Sequence, residues 1–363
     1  MKLGKIIEYL EQIAPLSLQE SYDNAGLLTG NRDQEIGKAL ITLDVTPEVM
    51  NEAIQEKAGL ILAHHPVIFH GLKHLRGDNM VERLVIQAIK NDIALYAVHT
   101  NLDNVFDGVN ARLAQEIGLQ KTRILAPEGQ LKKLVVYVPV RQAEKVRAAL
   151  LDAGAGHIGN YSHCSFRMAG EGTFKALDGA HPYVGKVGEI HHEEEMRIET
   201  IVPDYLLSRV VQAMLREHPY EEPAYDIFPL DNKNGFTGAG LIGELPEPLA
   251  AMDFLQRLKN HLQAQAIRYG VLVPQEIKKV ALCGGSGSFL MHAAFSAGAD
   301  VFVTADLKYH DFFLFQNQML LVDAGHYETE QFTKELLFDL LTKKFPNFAL
   351  QISRFNTNPV SFL

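Results

Sequence analysis

Residues 319–330 read Met-Leu-Leu-Val-Asp-Ala-Gly-His-Tyr-Glu-Thr-Glu. The apolar run Met319–Val322 has the form of a buried strand. The segment after it carries apolar residues at helical spacing: Phe332, Leu336, Leu337, Leu340, Leu341 and Phe345. His326 and Glu330 therefore fall at a strand-to-helix junction, in the first turn. If that turn is helical, the i, i+4 spacing sets imidazole and carboxylate on one side. Such a pair suits a divalent metal, and its donors favour zinc, iron or manganese over calcium. A helix cap beside a solvent-facing histidine is the plainer alternative.

The same arrangement recurs along the chain. Ala39–Leu43 reads as a strand ending at Asp44, and Thr46-Pro47-Glu48 then opens a helix. Leu60–Ala63 ends in His64-His65-Pro66. Ile93–Val98 ends in His99-Thr100-Asn101-Leu102-Asp103, with Asp103 placed in a loop. Lys279–Leu282 runs into Cys283-Gly284-Gly285-Ser286-Gly287-Ser288, and Val301–Thr304 into Ala305-Asp306-Leu307-Lys308-Tyr309-His310. Short apolar strands alternating with helices predict parallel strands buried on both faces. In such sheets ligands bind beyond the carboxyl ends of the strands, so these polar groups should converge on one rim.

The pattern changes between residues 128 and 237. Strand 131–138, helix 141–153, a polar Gly-rich stretch from 156 to 174, strand 195–202, helix 203–217 and strand 224–230 spell β-α-β-β-α-β, a ferredoxin-like order. The expected organisation is a discontinuous α/β core domain, 1–127 and 238–363, interrupted by an inserted α+β domain, 128–237. The two outer halves look like a duplicated three-layer α/β unit.

Composition narrows the function. The chain has 363 residues, 47% hydrophobic, with a formal net charge of −10, which disfavours non-specific binding to a phosphate backbone. Two distant cysteines, Cys164 and Cys283, make no disulfide framework and fit a reducing compartment. The first fifteen residues read as an amphipathic helix interrupted by Glu8 and Glu11, not as a signal peptide. No run of about 20 apolar residues offers a membrane span. A soluble cytoplasmic protein is expected.

Each polar group has a functional and a plain reading. His64 and His65, at a strand end where the backbone can turn, can reach one metal or two neighbouring ones, or simply cap the strand. Asp103 can bridge two metals about 3.5–4 Å apart, or form a turn. His99 can be a ligand or an outer partner that orients one. Gly284–Ser288 can cradle an anion with backbone N–H groups, or be a tight turn. Asp306, Lys308 and His310 are candidates for proton transfer or substrate charge, or a salt-bridged surface turn. His191-His192-Glu193-Glu194-Glu195 reads as a solvated loop. His157, His163, His181 and His218 receive no role.

Taken in order, Tyr22-Asp23-Asn24-Ala25-Gly26-Leu27, His64-His65-Pro66, His99-Thr100-Asn101-Leu102-Asp103, Thr304–His310 and Gly325–Glu330 resemble the GTP cyclohydrolase I type 2 family, the Nif-three-like dinuclear-metal proteins. Gly170–Phe174 and His218-Pro219-Tyr220-Glu221-Glu222-Pro223 are similar to the PII/CutA-like domain that many bacterial members carry between the halves. The resemblance implies a toroidal homohexamer with two divalent metal ions per subunit, zinc before iron or manganese. Its ligands would be His64, His65, Asp103, His326 and Glu330, with Asp103 bridging. It implies a metal-activated hydroxide that attacks C8 of GTP, releasing formate and leaving a dihydropterin triphosphate. His310 or His99 would carry the proton, with Asp306 beside them. Tyr22 stands where the family often has Trp, and Ala305 where Gly is usual; both bear on substrate shape more than on metal. Two other readings stand beside this one: a generic two-metal phosphoester hydrolase, and a non-catalytic metal-binding or regulatory hexameric scaffold. A nucleic-acid clamp is opposed by the acidic balance.

Overall fold

The apolar runs form strands whose alternate residues enter different cores. In the computed structural model, which describes residues Met1–Leu363, Ala39 and Ile41, Leu60 and Leu62, and Ala94 and Tyr96 face one hydrophobic cluster. Leu40, Ile61 and Leu95, between them, face another. Side chains alternate across a strand, so a strand apolar at every position must be covered on both faces. Leu3, Ile6, Ile7 and Leu10 of helix Leu3–Ile13, with Leu337 and Leu341 of Thr333–Lys344, cover the first face. Val49, Met50 and Ala53 of Pro47–Gln55, with Leu84 and Ala88 of Met80–Lys90, cover the second.

This five-stranded sheet runs Gly26–Thr29, Ala94–Ala97, Leu60–Ala63, Lys38–Thr42, Ala349–Ile352. All neighbours are parallel except the first pair. A six-stranded sheet runs Arg268–Tyr269, Leu320–Asp323, Val301–Ala305, Glu276–Ser286, Gly238–Ala250, Gln120–Pro127. Its three strands from Leu320 to Ser286 are parallel. Val301, Val303, Leu320 and Val322 point to one core, Phe302 and Leu321 to the other.

The apolar runs expected to be parallel strands are parallel, but both sheets also have antiparallel members. Gly238–Ala250 is antiparallel to both of its neighbours, and Gln120–Pro127 and Arg268–Tyr269 are antiparallel edges. Glu244, Pro246, Glu247 and Pro248 break the apolar run of the 238–250 strand, which hides it from a periodicity reading. Thr100–Asp103 is also not a loop but one helical turn. Its first N–H and its Thr100 hydroxyl both donate to Asp23 Oδ2, a cap supplied from 77 residues away.

The chain divides into two compact units, Met1–Pro127 with Phe236–Leu363, and Glu128–Gly235. In the second, Gln130–Pro139, Ala143–Asp152, Ser165–Lys175, Ile190–Pro203, Leu207–Glu217 and Tyr225–Lys233 come in the order strand, helix, strand, strand, helix, strand. The four strands form one antiparallel sheet, its two outer members being Ser165–Lys175 and Tyr225–Lys233. His191–Glu195, expected as a solvated loop, lies instead on the long Ile190–Pro203 strand, paired with Gly170–Phe174. No helix of the chain is long and apolar enough to cross a membrane.

Candidate metal centre

The carboxyl ends of both sheets of the first unit open on one cavity of about 830 Å³. Three imidazoles line it, His65, His99 and His326, a fourth, the fully buried His64, stands behind them, and in each of the four the Nδ1 atom is held by an oxygen. His64 Nδ1 lies 2.7 Å from the Val98 carbonyl. His65 Nδ1 is 2.7 Å from Asp44 Oδ1, His99 Nδ1 2.7 Å from Asp23 Oδ1, and His326 Nδ1 2.7 Å from Asp306 Oδ2. Carbonyl and carboxylate oxygens can only accept, so each Nδ1 carries the proton and donates it. That turns every Nε2 toward the centre, the arrangement by which outer oxygens orient metal-binding histidines.

Glu330 sits among these Nε2 atoms. His326 and Glu330 occupy the first and last residues of helix His326–Glu330, and His326 Nε2 is 3.0 Å from Glu330 Oε2. His65 Nε2 reaches the same oxygen at 3.0 Å. His64 Nε2 lies 3.9 Å from Glu330 Oε1 and 3.7 Å from Asp103 Oδ1. These positions define two sets of donor atoms, each lying within 4.8 Å of one another: His64, Asp103 and Glu330; His65, His326 and Glu330. Glu330 is the carboxylate common to both. His99, whose ring centroid is 5.3 Å from those of His64 and His65, joins them in a third overlapping set.

Whether this donor set suits a metal is decided by two atoms. His64 Nε2 and Asp103 Oδ1 are both buried and have no hydrogen-bond partner. With its proton on Nδ1, His64 turns a lone pair toward two carboxylate oxygens. Buried acceptors facing one another without a donor cost free energy; a divalent cation satisfies all of them together. The residues therefore fit.

Titration obeys the same geometry. Burial works against charging His65, but the Asp44 and Glu330 carboxylates outweigh it and hold the imidazole up at about 10. The same opposition holds His326 at about 9, through Glu330 and Asp306. Burial pushes His64 below its ordinary value. Burial, then the Glu330 charge, pushes Asp103 well above the usual carboxylate range. Burial would raise Glu330 too, but the imidazoles around it prevail and hold it well below that range.

Asp306 is an orienting group here: it accepts from His326 and from the Ser286 hydroxyl. His310 is exposed on the short helix Tyr309–Phe313 and does not line the cavity; the structure does not bring it to the cluster. The glycine loop is no anion cradle. Gly284, Gly285 and Gly287 donate their N–H groups to Asn110 Oδ1, Thr329 Oγ1 and Thr304 Oγ1. A fourth possible cluster, His74, Asp78 and Glu82, is a loop clamp: Glu82 accepts from the Arg76, Gly77 and Asp78 amides and from Asn79 Nδ2.

Sequence reading missed three features. Asp23 carries no local sign of its partner, which lies 76 positions away. Arg268, the one Lys or Arg side chain lining the cavity, donates to Asp323 and to the Leu307 carbonyl, and sits on a two-residue strand with no periodicity to show it. The tail also reaches the cavity: Thr357 donates to Asp44 Oδ2 and Asn358 to Glu328 Oε1, and Phe362 lines the wall. Removing an orienting carboxylate should be felt at the metal. Asp44→Ala is expected to weaken zinc binding about 10–100-fold with a circular dichroism spectrum like that of the unaltered protein, measured by competition against a chelating dye.

Comparison with known proteins shows the family. Residues 1–359 match the family described as Duf34/NIF3 (NGG1p interacting factor 3). The chain is 42% identical over 370 residues to a Bacillus subtilis protein named GTP cyclohydrolase 1 type 2 homolog, covering 99% of this chain and 98% of that one. A Mycobacterium tuberculosis protein of the same name is 38% identical over 337 residues, covering 91% and 88%. Among solved structures, a Bacillus cereus protein related to NIF3 superposes with a TM-score of 0.87 at 41% identity, covering 100% of this chain and 99% of that one. A Staphylococcus aureus protein does so with a TM-score of 0.77 at 30% identity and the same coverage. The match across nearly the whole length, joined to the imidazole–carboxylate cluster, places the chain in the Duf34/NIF3 family.

Proposed function

We propose that the cleft is the active site of a divalent-metal-dependent hydrolase that opens the guanine ring of a nucleotide and releases formate, as the name of its relatives suggests. The carrying observation is the pair of buried, unpartnered atoms, His64 Nε2 and Asp103 Oδ1, within a ring of inward-facing Nε2 atoms. His64, Asp103 and Glu330 would hold one cation, and His65, His326 and Glu330 a second. Zinc fits these donors first, with iron or manganese as alternatives. Two such ions supply Lewis acidity and water activation near neutral pH.

The remaining walls suit a planar ring. Tyr22 and Phe69, with centroids 6.3 Å apart, stand on the lining with Phe289 and Phe362, and flat aromatic faces favour offset stacking. His99, fixed through Nδ1 by Asp23, keeps Nε2 toward the centre and would hold and pass a proton. Arg268 is the one Lys or Arg of the wall, which also carries the carboxylates Asp44, Asp306, Asp323 and Glu328. That wall supports recognition of the ring more than of a phosphate chain, and speaks against the general phosphoester reading. The ring-shaped hexamer belongs to the same proposal, supported by Tyr309, Phe313 and Leu314 exposed together on one short segment; sedimentation velocity tests it.

The decisive assay is formate release from GTP and from guanosine, with zinc, manganese or iron supplied separately. Metal-dependent release, absent in Glu330→Ala, is the expected result. No release with any metal at full metal occupancy would overturn the enzymatic reading in favour of the regulatory scaffold.

Metal uptake should also depend on pH with a fixed sign. Before binding, His65 and His326 are held protonated to about pH 10 and 9. Both must give up a proton to become ligands. Zinc affinity should therefore rise between pH 6 and 8 and fall on acidification, with about two protons per chain released from these two imidazoles at pH 7, to which any proton held by Asp103 adds. Titration calorimetry in buffers of different ionisation enthalpy measures that number.

A further inference from the structure

The second unit holds a cavity of its own, of about 700 Å³. That is the size of a small organic molecule, well beyond a bare ion. Three rings line it in succession: Phe174 and Tyr220 with centroids 5.9 Å apart, and Tyr220 and Tyr183 with centroids 6.3 Å apart. Tyr137 completes the aromatic side. Aromatic faces are electron-rich and attract ammonium groups.

Carboxylates stand among these rings. Glu171, Glu195, Glu221 and Glu222 line the cavity against two bases, Lys175 and Arg197. Arg197 shares Glu199 with Lys133, its Nη2 at 2.9 Å, and lies over the Tyr137 ring, 6.0 Å from its centroid. Glu171 takes the His192 imidazole at 3.0 Å. Glu195 takes only a neutral donor, the Tyr220 hydroxyl at 2.9 Å, and Glu221 only the His181 amide at 2.9 Å. Glu195 and Glu221 thus meet neutral donors and form no ion pair with Lys175 or Arg197 of the same lining. Gly172 leaves the room that Glu195 needs: a methyl there would stand 2.2 Å from Glu195 Oε2.

We propose that this cavity is a binding site for an aliphatic polyamine. Ammonium groups would meet Glu195 and Glu221, and the methylene segments between them would lie along Phe174, Tyr183 and Tyr220. A compact inorganic cation would leave the rings unused, and an anion would face the carboxylates.

Calorimetric titration of the full chain with spermidine tests this. About 150 mM salt shortens the reach of exposed charges to about 8 Å and suppresses loose attraction to the acidic chain. The expected result is one saturable site, with no heat from uncharged 1,8-octanediol. Glu195→Gln and Glu221→Gln should each weaken binding about tenfold, the size of one charge-assisted contact. Gly172→Ala should weaken it by displacing Glu195. Asp253→Asn, an exposed acid of the first unit, should change nothing. Unchanged circular dichroism and zinc content would show that the variants fold. Absence of saturable binding, or binding of unaltered strength in both Glu195→Gln and Glu221→Gln, would overturn the proposal.

Discussion

Glu330→Gln is expected to lower zinc affinity by more than about a hundredfold, beyond the 10–100-fold cost of losing an orienting partner. The carboxylate is common to both donor sets and lies 3.0 Å from both His65 Nε2 and His326 Nε2. An amide of the same shape keeps one acceptor, carries no charge and sets an N–H₂, which cannot ligate a cation, where the second oxygen stood. The metal-free protein should feel the change as well. His65 and His326 have raised pKa values in the folded state, so their pairing stabilises fully below the ordinary imidazole value near 6.5. That contribution is lost as pH rises through about 9 and 10. The deficit of Glu330→Gln should therefore be largest at pH 6, of the order of 3–5 kcal/mol for one partner removed from a buried pair, and should shrink toward pH 10. Urea unfolding of metal-stripped protein at the two pH values measures it. An equal deficit at both would show that the carboxylate acts through packing and not through charge.

Gly285→Ala is expected to leave a folded protein that no longer retains metal. Gly285 has φ +59, a left-handed conformation that costs a side-chain-bearing residue about 1–2 kcal/mol. The larger effect is local. A Cβ there would lie 2.2 Å from Glu330 Oε1 and 3.2 Å from His326 Nε2. One of these ligands must move, and Glu330 cannot move without leaving both donor sets. Zinc per chain after dialysis should fall to a small fraction of the unaltered value, while the thermal midpoint of the metal-free protein falls only by several degrees, as about 1–2 kcal/mol implies. Full zinc retention would contradict the role assigned to this loop.

The same glycine marks where sequence reading stops. A glycine run between strand and helix is equally consistent with an anion cradle and with close approach of another segment. Here Asn110, Thr329 and Thr304 consume the N–H groups, and none of the three is a neighbour in sequence. Local features were legible. Fully apolar runs marked the buried strands, their polar ends marked the rim, and the His326–Glu330 spacing marked a helical turn. Long-range features were not. Asp23 caps Thr100 and orients His99 across more than 70 residues, and in sequence it is an ordinary turn aspartate. The antiparallel Gly238–Ala250 strand is masked by two prolines and two glutamates in and beyond its buried half. His310 and His326 look alike as strand-end histidines. One ends on an exposed helical turn and the other against Glu330, because only His326 begins a helix that returns its fifth residue to the same side.

The measurement that bears most directly on the central claim is anomalous diffraction at the zinc edge from crystals grown with zinc. Two peaks are predicted per chain, one within ligand distance of His64, Asp103 and Glu330 and one within ligand distance of His65, His326 and Glu330, at the roughly 2.0–2.2 Å expected for nitrogen and oxygen donors. Peaks confined to the His74–Asp78–Glu82 loop, or none in the cavity, would contradict the account.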